Sequence, residues 1–187
     1  MAFSKERLQK RVSEAMAAVF EDCSAVAPAG AFAKNTPADA WIIELLSFAS
    51  YIAEADGRIS KTEVNALREM FSNAGAGVSK NIMKIMALSL SQSDLDIMPY
   101  EIDAVIAKDN ERLAAGSERV PSSIQLACLY YWTAEYITEA DGKSLPVENA
   151  AKLPVLERIF EKLKTELELP QEETKRLFFG TLNSIKN

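Results

Sequence analysis

The sequence predicts an all-α fold, one compact helical domain of about eight helices with two pseudo-symmetric halves, on three observations. Apolar residues recur at three- and four-residue spacing, and no alternating strand pattern interrupts them. Glycine and proline number seven each in 187 residues, too few for a turn-rich β fold, while Ala, Leu, Glu and Lys favour helix. A seven-residue stretch that ends a helix occurs twice, dividing residues 1–187 into halves of about 36–90 and 121–187.

The elements follow in order. A first helix runs from about Ser4 to Cys23, with Leu8, Val12, Ala15, Met16, Val19 and Cys23 on one face. After a loop around Pro28-Ala29-Gly30, Thr36-Pro37 supplies an N-cap and a first-turn proline for a second helix to about Ala55. Asp56-Gly57 breaks it, and Ser60-Lys61-Thr62-Glu63 is a capping box for a third, with Val64, Leu67 and Phe71 as core positions. Gly75-Ala76-Gly77 ends the third helix. It is no P-loop, because no Gly-Lys-Ser/Thr follows. A fourth helix carries Ile82, Ile85, Met86 and Ser89. A fifth follows Pro99 with Ile102, Val105, Ile106 and Leu113. Gly116–Pro121 is a linker. The sixth helix, about Ser122 to Ala140, is broken by Asp141-Gly142. Pro146 and Pro154 punctuate the approach to a helix with Leu156, Ile159, Phe160, Leu163 and Leu167. A last helix begins near Pro170 and packs through Leu177, Phe178, Leu182 and Ile185.

Composition excludes several kinds of chemistry. The chain has no histidine, which removes Ser-His-Asp and Cys-His nucleophile systems and histidine-ligated zinc. Cys23 and Cys128 lie far apart among apolar residues, read as small core side chains, and fit a reducing compartment. A net charge of −6 repels phosphate backbones and anionic lipid, so nucleic acid is a poor partner. The apolar stretch 15–20 lies between Glu14 and Glu21, too short for a secretory signal, so the expected location is cytoplasmic. The most apolar helices contain Glu44, Glu54, Glu135 and Glu139, which argues against membrane insertion. On the sixth helix, Tyr130, Tyr131, Trp132 and Tyr136 read as packing residues with their hydroxyls at the rim. Met83, Met86 and Met98 read as scattered core filling.

Tyr51-Ile52-Ala53-Glu54-Ala55-Asp56-Gly57 recurs as Tyr136-Ile137-Thr138-Glu139-Ala140-Asp141-Gly142, at an offset of 141 − 56 = 85 residues. Glu63 matches Glu148 at the same offset. Each copy therefore presents acids before, at and after a helix break. Asp-Gly ends a helix because glycine takes left-handed conformations cheaply. The next helix then opens with a glutamate in its first turn. Glu54, Asp56 and Glu63, with the Arg58 carbonyl, fall at EF-hand-like positions 3, 5, 12 and 7, whereas Ile52 at position 1 cannot ligate. Oxygen-only sets of this kind suit hard cations, Ca2+ or Mg2+, at modest affinity. The candidate metal ligands are thus Glu54, Asp56, Glu63, Glu139, Asp141 and Glu148. A second reading stays open beside this one: Glu63 is also the capping partner of Ser60, and Asp56 also solvates a helix end.

The segment Ile52-Ala53-Glu54-Ala55-Asp56-Gly57-Arg58-Ile59-Ser60, followed by Glu63, resembles the signature of TerB-like tellurite-resistance proteins. The resemblance implies an all-helical domain with two such halves, acidic loops that hold divalent metal, and the residues Asp56, Glu63, Asp141 and Glu148 as its ligands. It covers the two helix–loop–helix units. The second loop departs from the signature after Gly142, where Ser144-Leu145-Pro146 replaces Ile59-Ser60-Lys61. The functional expectation is a non-catalytic metal-binding accessory protein of a tellurite-resistance or stress-response system, with protein partners. The alternative is a helical protein–protein interaction module without metal, of a co-chaperone or scaffold type. An enzyme with a carboxylate metal site is the weakest of the three, because no nucleophile or lysine and arginine constellation accompanies the loops.

Overall fold

The computed structural model describes residues 4–28, 33–71, 99–140, 142 and 146–184. The described residues form seven helices and no strand: α1 (Lys5–Cys23), α2 (Pro37–Ala53), α3 (Lys61–Phe71), α4 (Ile102–Ala114), α5 (Ser122–Thr138), α6 (Pro146–Glu166) and α7 (Gln171–Asn183). The expected helix around Ile82–Ser89, the Gly75 turn, and Met83, Met86 and Met98 lie outside the described residues, as do Asp141, Ser144, Leu145 and Ile185.

Local signals set most helix ends. Ser4 Oγ accepts the Arg7 N–H at 3.3 Å to open α1, and Thr36 Oγ1 accepts the Asp39 N–H at 3.2 Å to open α2. On α1 the face Leu8, Val12, Ala15, Val19 and Cys23 is buried, with Met16 packed at its edge. α5 sits at the centre and packs against each of the other six helices. Of its 17 residues 14 are buried, the mark of a helix enclosed on all sides rather than amphipathic. Facing it, α2 contributes Leu45, Leu46 and Phe48, each worth roughly 1.5–3 kcal/mol of burial. Cys23 and Cys128 are free and buried, as small core residues.

The N-terminus of α5 is held by other helices. Its cap position is Pro121, which has no side-chain acceptor. Asp109 on α4 takes that role, accepting the N–H groups of Ser122 at 3.1 Å and Ser123 at 2.7 Å. Asp22, in the last turn of α1, accepts from the Ser122 hydroxyl at 2.6 Å and from Arg112 at 2.7 and 2.9 Å, and pairs with Lys108. The Arg112 guanidinium, with Lys108 and Ser122, holds the Asp22 carboxyl well below the usual carboxylate range against the opposing effect of burial.

Three expectations need correction. α6 runs through Pro154 instead of starting after it. Pro154 and Ala150, whose carbonyl loses its helical N–H partner, both lie on the exposed side, where water replaces the missing bond. On α3 the inward residues are Glu63, Ala66, Leu67 and Met70, while Val64 is only half-buried. Tyr130 does not reach the rim: its hydroxyl is enclosed without a hydrogen-bond partner. Tyr136 does reach an edge, where its hydroxyl donates to Glu69 Oε2 at 3.0 Å.

Candidate functional site

The sequence repeat is a structural repeat in its bounds. α2 and α5 each span 17 residues, and their starts (122 − 37) and ends (138 − 53) are both offset by 85. α3 and α6 begin at Lys61 and Pro146, again 85 apart (146 − 61). The helix ends close alike. Glu54 N–H donates to the Ser50 carbonyl at 2.9 Å and Glu139 N–H to the Glu135 carbonyl at 3.0 Å. Gly57 N–H then donates to the Glu54 carbonyl at 2.8 Å, and Gly142 N–H to the Glu139 carbonyl at 3.2 Å. Both glycines are left-handed, at φ +90° and +76°, a conformation that costs other residues about 1–2 kcal/mol.

The acids around the first break divide between surface and interior. Glu54 and Asp56 are exposed, and Asp56 Oδ1 accepts the Arg58 N–H at 3.1 Å, folding the loop over itself. Glu63 is 4% exposed. Its Oε2 accepts the Ser60 N–H at 2.6 Å while Ser60 Oγ accepts the Glu63 N–H at 3.2 Å, so the capping box is complete. Around the second break Glu139 is half-buried and Glu148 is 2% exposed, so both halves sink the acid of the following helix. Among the described residues no three Cys, Asp or Glu side chains converge in a group that could hold a metal ion, and Asp141 lies outside that set.

The surroundings of the two breaks differ in charge. At positions 85 apart, Ser50 and Leu67 of the first half correspond to Glu135 and Lys152 of the second. Ser50 Oγ is buried without a partner, and Leu67 is core. Lys152, 5% exposed, donates instead to Glu135 Oε1 at 2.5 Å. The second half thus carries its own buried cation.

A further acidic pair lies away from both loops. Glu44 stands in the middle of α2. Glu101, directly before α4, is fully buried. Tyr100 N–H donates to Glu44 Oε1 at 3.2 Å, and the Tyr100 hydroxyl donates to the Pro37 carbonyl at 3.4 Å. Glu44 Oε2, both Glu101 carboxyl oxygens and the Tyr130 hydroxyl are buried without a donor or acceptor. Burial, then the neighbouring Glu101 charge, pushes the Glu44 carboxyl far above its usual range, and burial pushes Glu101 up as well. The sequence held one sign of this pair. Glu44 interrupts Trp41-Ile42-Ile43 and Leu45-Leu46, a stretch apolar on every helical face, and so has to be enclosed. Glu101 gave none, since an acid beside a helix start is ordinary.

No protein-family model matches the chain, and neither a curated protein nor a solved structure is significantly similar to it. The resemblance to TerB-like proteins therefore rests on the motif residues alone. No described helix is long and apolar enough to cross a membrane.

Proposed function

We propose that the chain is a non-catalytic accessory protein that binds a divalent cation, Ca2+ or Mg2+, through its acidic helix breaks and works through protein partners in a cytoplasmic, TerB-like tellurite-resistance or stress response. The observation that carries this reading is the duplicated break, with matched helix bounds, matched closing hydrogen bonds and an acid at the same place in each following helix. A duplicated backbone device with duplicated acids is what a paired binding function retains, since helix ending by itself needs only the glycine. In the first unit the exposed carboxylates of Glu54 and Asp56 are the entry ligands, and Glu63 joins them by giving up its cap. That rearrangement costs about 1 kcal/mol and keeps affinity modest, on the order of 10⁻⁴ M or weaker. Residues Glu139, Asp141 and Glu148 form the second unit, which binds less well. The Lys152 ammonium already compensates negative charge there, and Pro146 restricts the loop. Calorimetric titration of Ca2+ and Mg2+ into the protein tests this. Asp56→Asn should remove more of the binding heat than Asp141→Asn, whereas a parent protein that gives no heat refutes the reading.

The second reading, a helical interaction module without metal, draws on the same loop. Asp56 and Glu63 already satisfy backbone N–H groups, and the apolar side chains of Val147 and Leu153 on α6 and Phe179 on α7 are exposed.

A further inference from the structure

Five ionisable groups from four parts of the chain meet in the interior beside α5. Cys23 comes from the end of α1, Glu44 from α2, Tyr100 and Glu101 from the turn before α4, and Tyr130 from the middle of α5. The Tyr100 N–H donates to Glu44 Oε1 at 3.2 Å, Glu101 follows Tyr100 directly, and the Tyr130 ring packs 5.0 Å from that of Phe48, one helical turn after Glu44 on α2. Glu44 and Glu101 are the two charges that raise Tyr130 and Tyr100 most, and both act on Cys23. Every one of the five is acidic or neutral. Neither Glu44 nor Glu101 has an ion pair among the described residues, whereas the buried carboxylates of Asp22 and Asp109 share Arg112 and that of Glu63 is held by its capping box.

Three of the four oxygens of these two carboxyls have no partner and no cation among the described residues offsets them, so the pair stays buried either by holding a proton or by taking up a cation. The Tyr130 hydroxyl supplies the independent sign. It is 2% exposed and has no partner, and its ring packs on Phe48, one helical turn from Glu44. An interior phenol normally finds an acceptor or a water.

We propose that Glu44 and Glu101, together with the Tyr130 hydroxyl oxygen, form a buried site for one small hard divalent cation of the Mg2+ or Mn2+ class. One or two carboxylates completed by water is the usual protein contribution to such ions, whereas Ca2+ asks for six to eight oxygens. The site is separate from the Asp-Gly loops and stands or falls independently of them. Cys23 is not counted as a ligand, because hard cations of this class take oxygen ligands in preference to sulfur.

The test uses the intact protein with Mn2+ as probe, counting free ion by electron paramagnetic resonance and following thermal unfolding. The parent should bind Mn2+ and rise in Tm with it. Glu101→Gln should lose one equivalent of bound Mn2+ and, without metal, melt at a higher temperature than the parent, because a near-isosteric amide removes a buried acid. Glu44→Gln should behave alike, which covers a fold failure in either variant. Asp56→Asn and Asp141→Asn should leave this binding in place. A parent that takes up no Mn2+, a Mn2+ stoichiometry unchanged in both glutamine variants, or all binding lost on Asp56→Asn alone would each overturn the site. The last outcome would leave the loop reading standing, and the first would leave the pair holding only a proton.

Discussion

The first and second helix–break–helix units share their backbone and differ in how they are held. α2 is opened by its own cap, Thr36, and closes at a break whose acids serve their own loop and capping box. α5 has Pro121 at the position equivalent to Thr36, an offset of 121 − 36 = 85, and is opened instead by Asp109 from α4 and steadied by Asp22 from α1. Past the break the first half is apolar at Leu67, and the second carries the Lys152–Glu135 pair. One backbone plan thus tolerates two ways of satisfying polar groups. The surface half uses local bonds within three residues. The central half, enclosed by its neighbours, uses side chains brought from other helices, because an enclosed terminus has no water to fall back on.

The comparison can be broken most sharply at the two helix starts. Asp109→Ala leaves two buried N–H groups of α5 without their acceptor and removes one of the two carboxylates beside Arg112, and should cost on the order of 3 kcal/mol. Thr36→Ala, the matching change on α2, should cost about 1 kcal/mol. Urea unfolding of the two variants measures the difference, and equal losses would show that α5 does not depend on its borrowed cap.

A smaller effect concerns Lys152. Lys152→Leu alone strands Glu135 beside an apolar surface and should cost about 2–3 kcal/mol, less than a fully buried pair because Glu135 keeps some exposure. Glu135→Ser with Lys152→Leu recreates the Ser50/Leu67 pattern of the first half and should come within about 1 kcal/mol of the parent. A double variant as unstable as the single one would mean that the halves pack too differently for the swap.

The smallest and most exacting comparison uses the glycines. Gly57→Ala and Gly142→Ala each force a Cβ into the left-handed region, with open space around it in both cases, so each should cost about 1 kcal/mol and by nearly the same amount. Thermal melts resolve that equality. Clearly unequal losses would end the claim that the two breaks are one device used twice.

Much of this molecule is written in residues close together along the chain. The bounds of α1, α2 and α5, the caps at Thr36 and Ser60, and the duplicated glycine break are all legible in sequence, since spacing, caps and left-handed glycines act over three to five residues. Proline misled at Pro154, because a proline breaks a helix by removing one bond, and only the fold shows that the freed carbonyl faces water. The acids of the loops could be found by pattern, but which of them turns inward could not. Glu63 is buried and Asp56 exposed because α3 packs one face on α5, a matter of tertiary contact. The same holds for Asp109 reaching across 13 residues to cap α5, for Asp22 reaching across 90 to Arg112, and for Glu44 meeting Glu101. The sequence alone determined which segments are helices and where the repeat lies. Only the packing of those helices decided which charges are paired, which are buried, and which are left waiting for a partner, because desolvation depends on every neighbour in space and not on the neighbours in the chain.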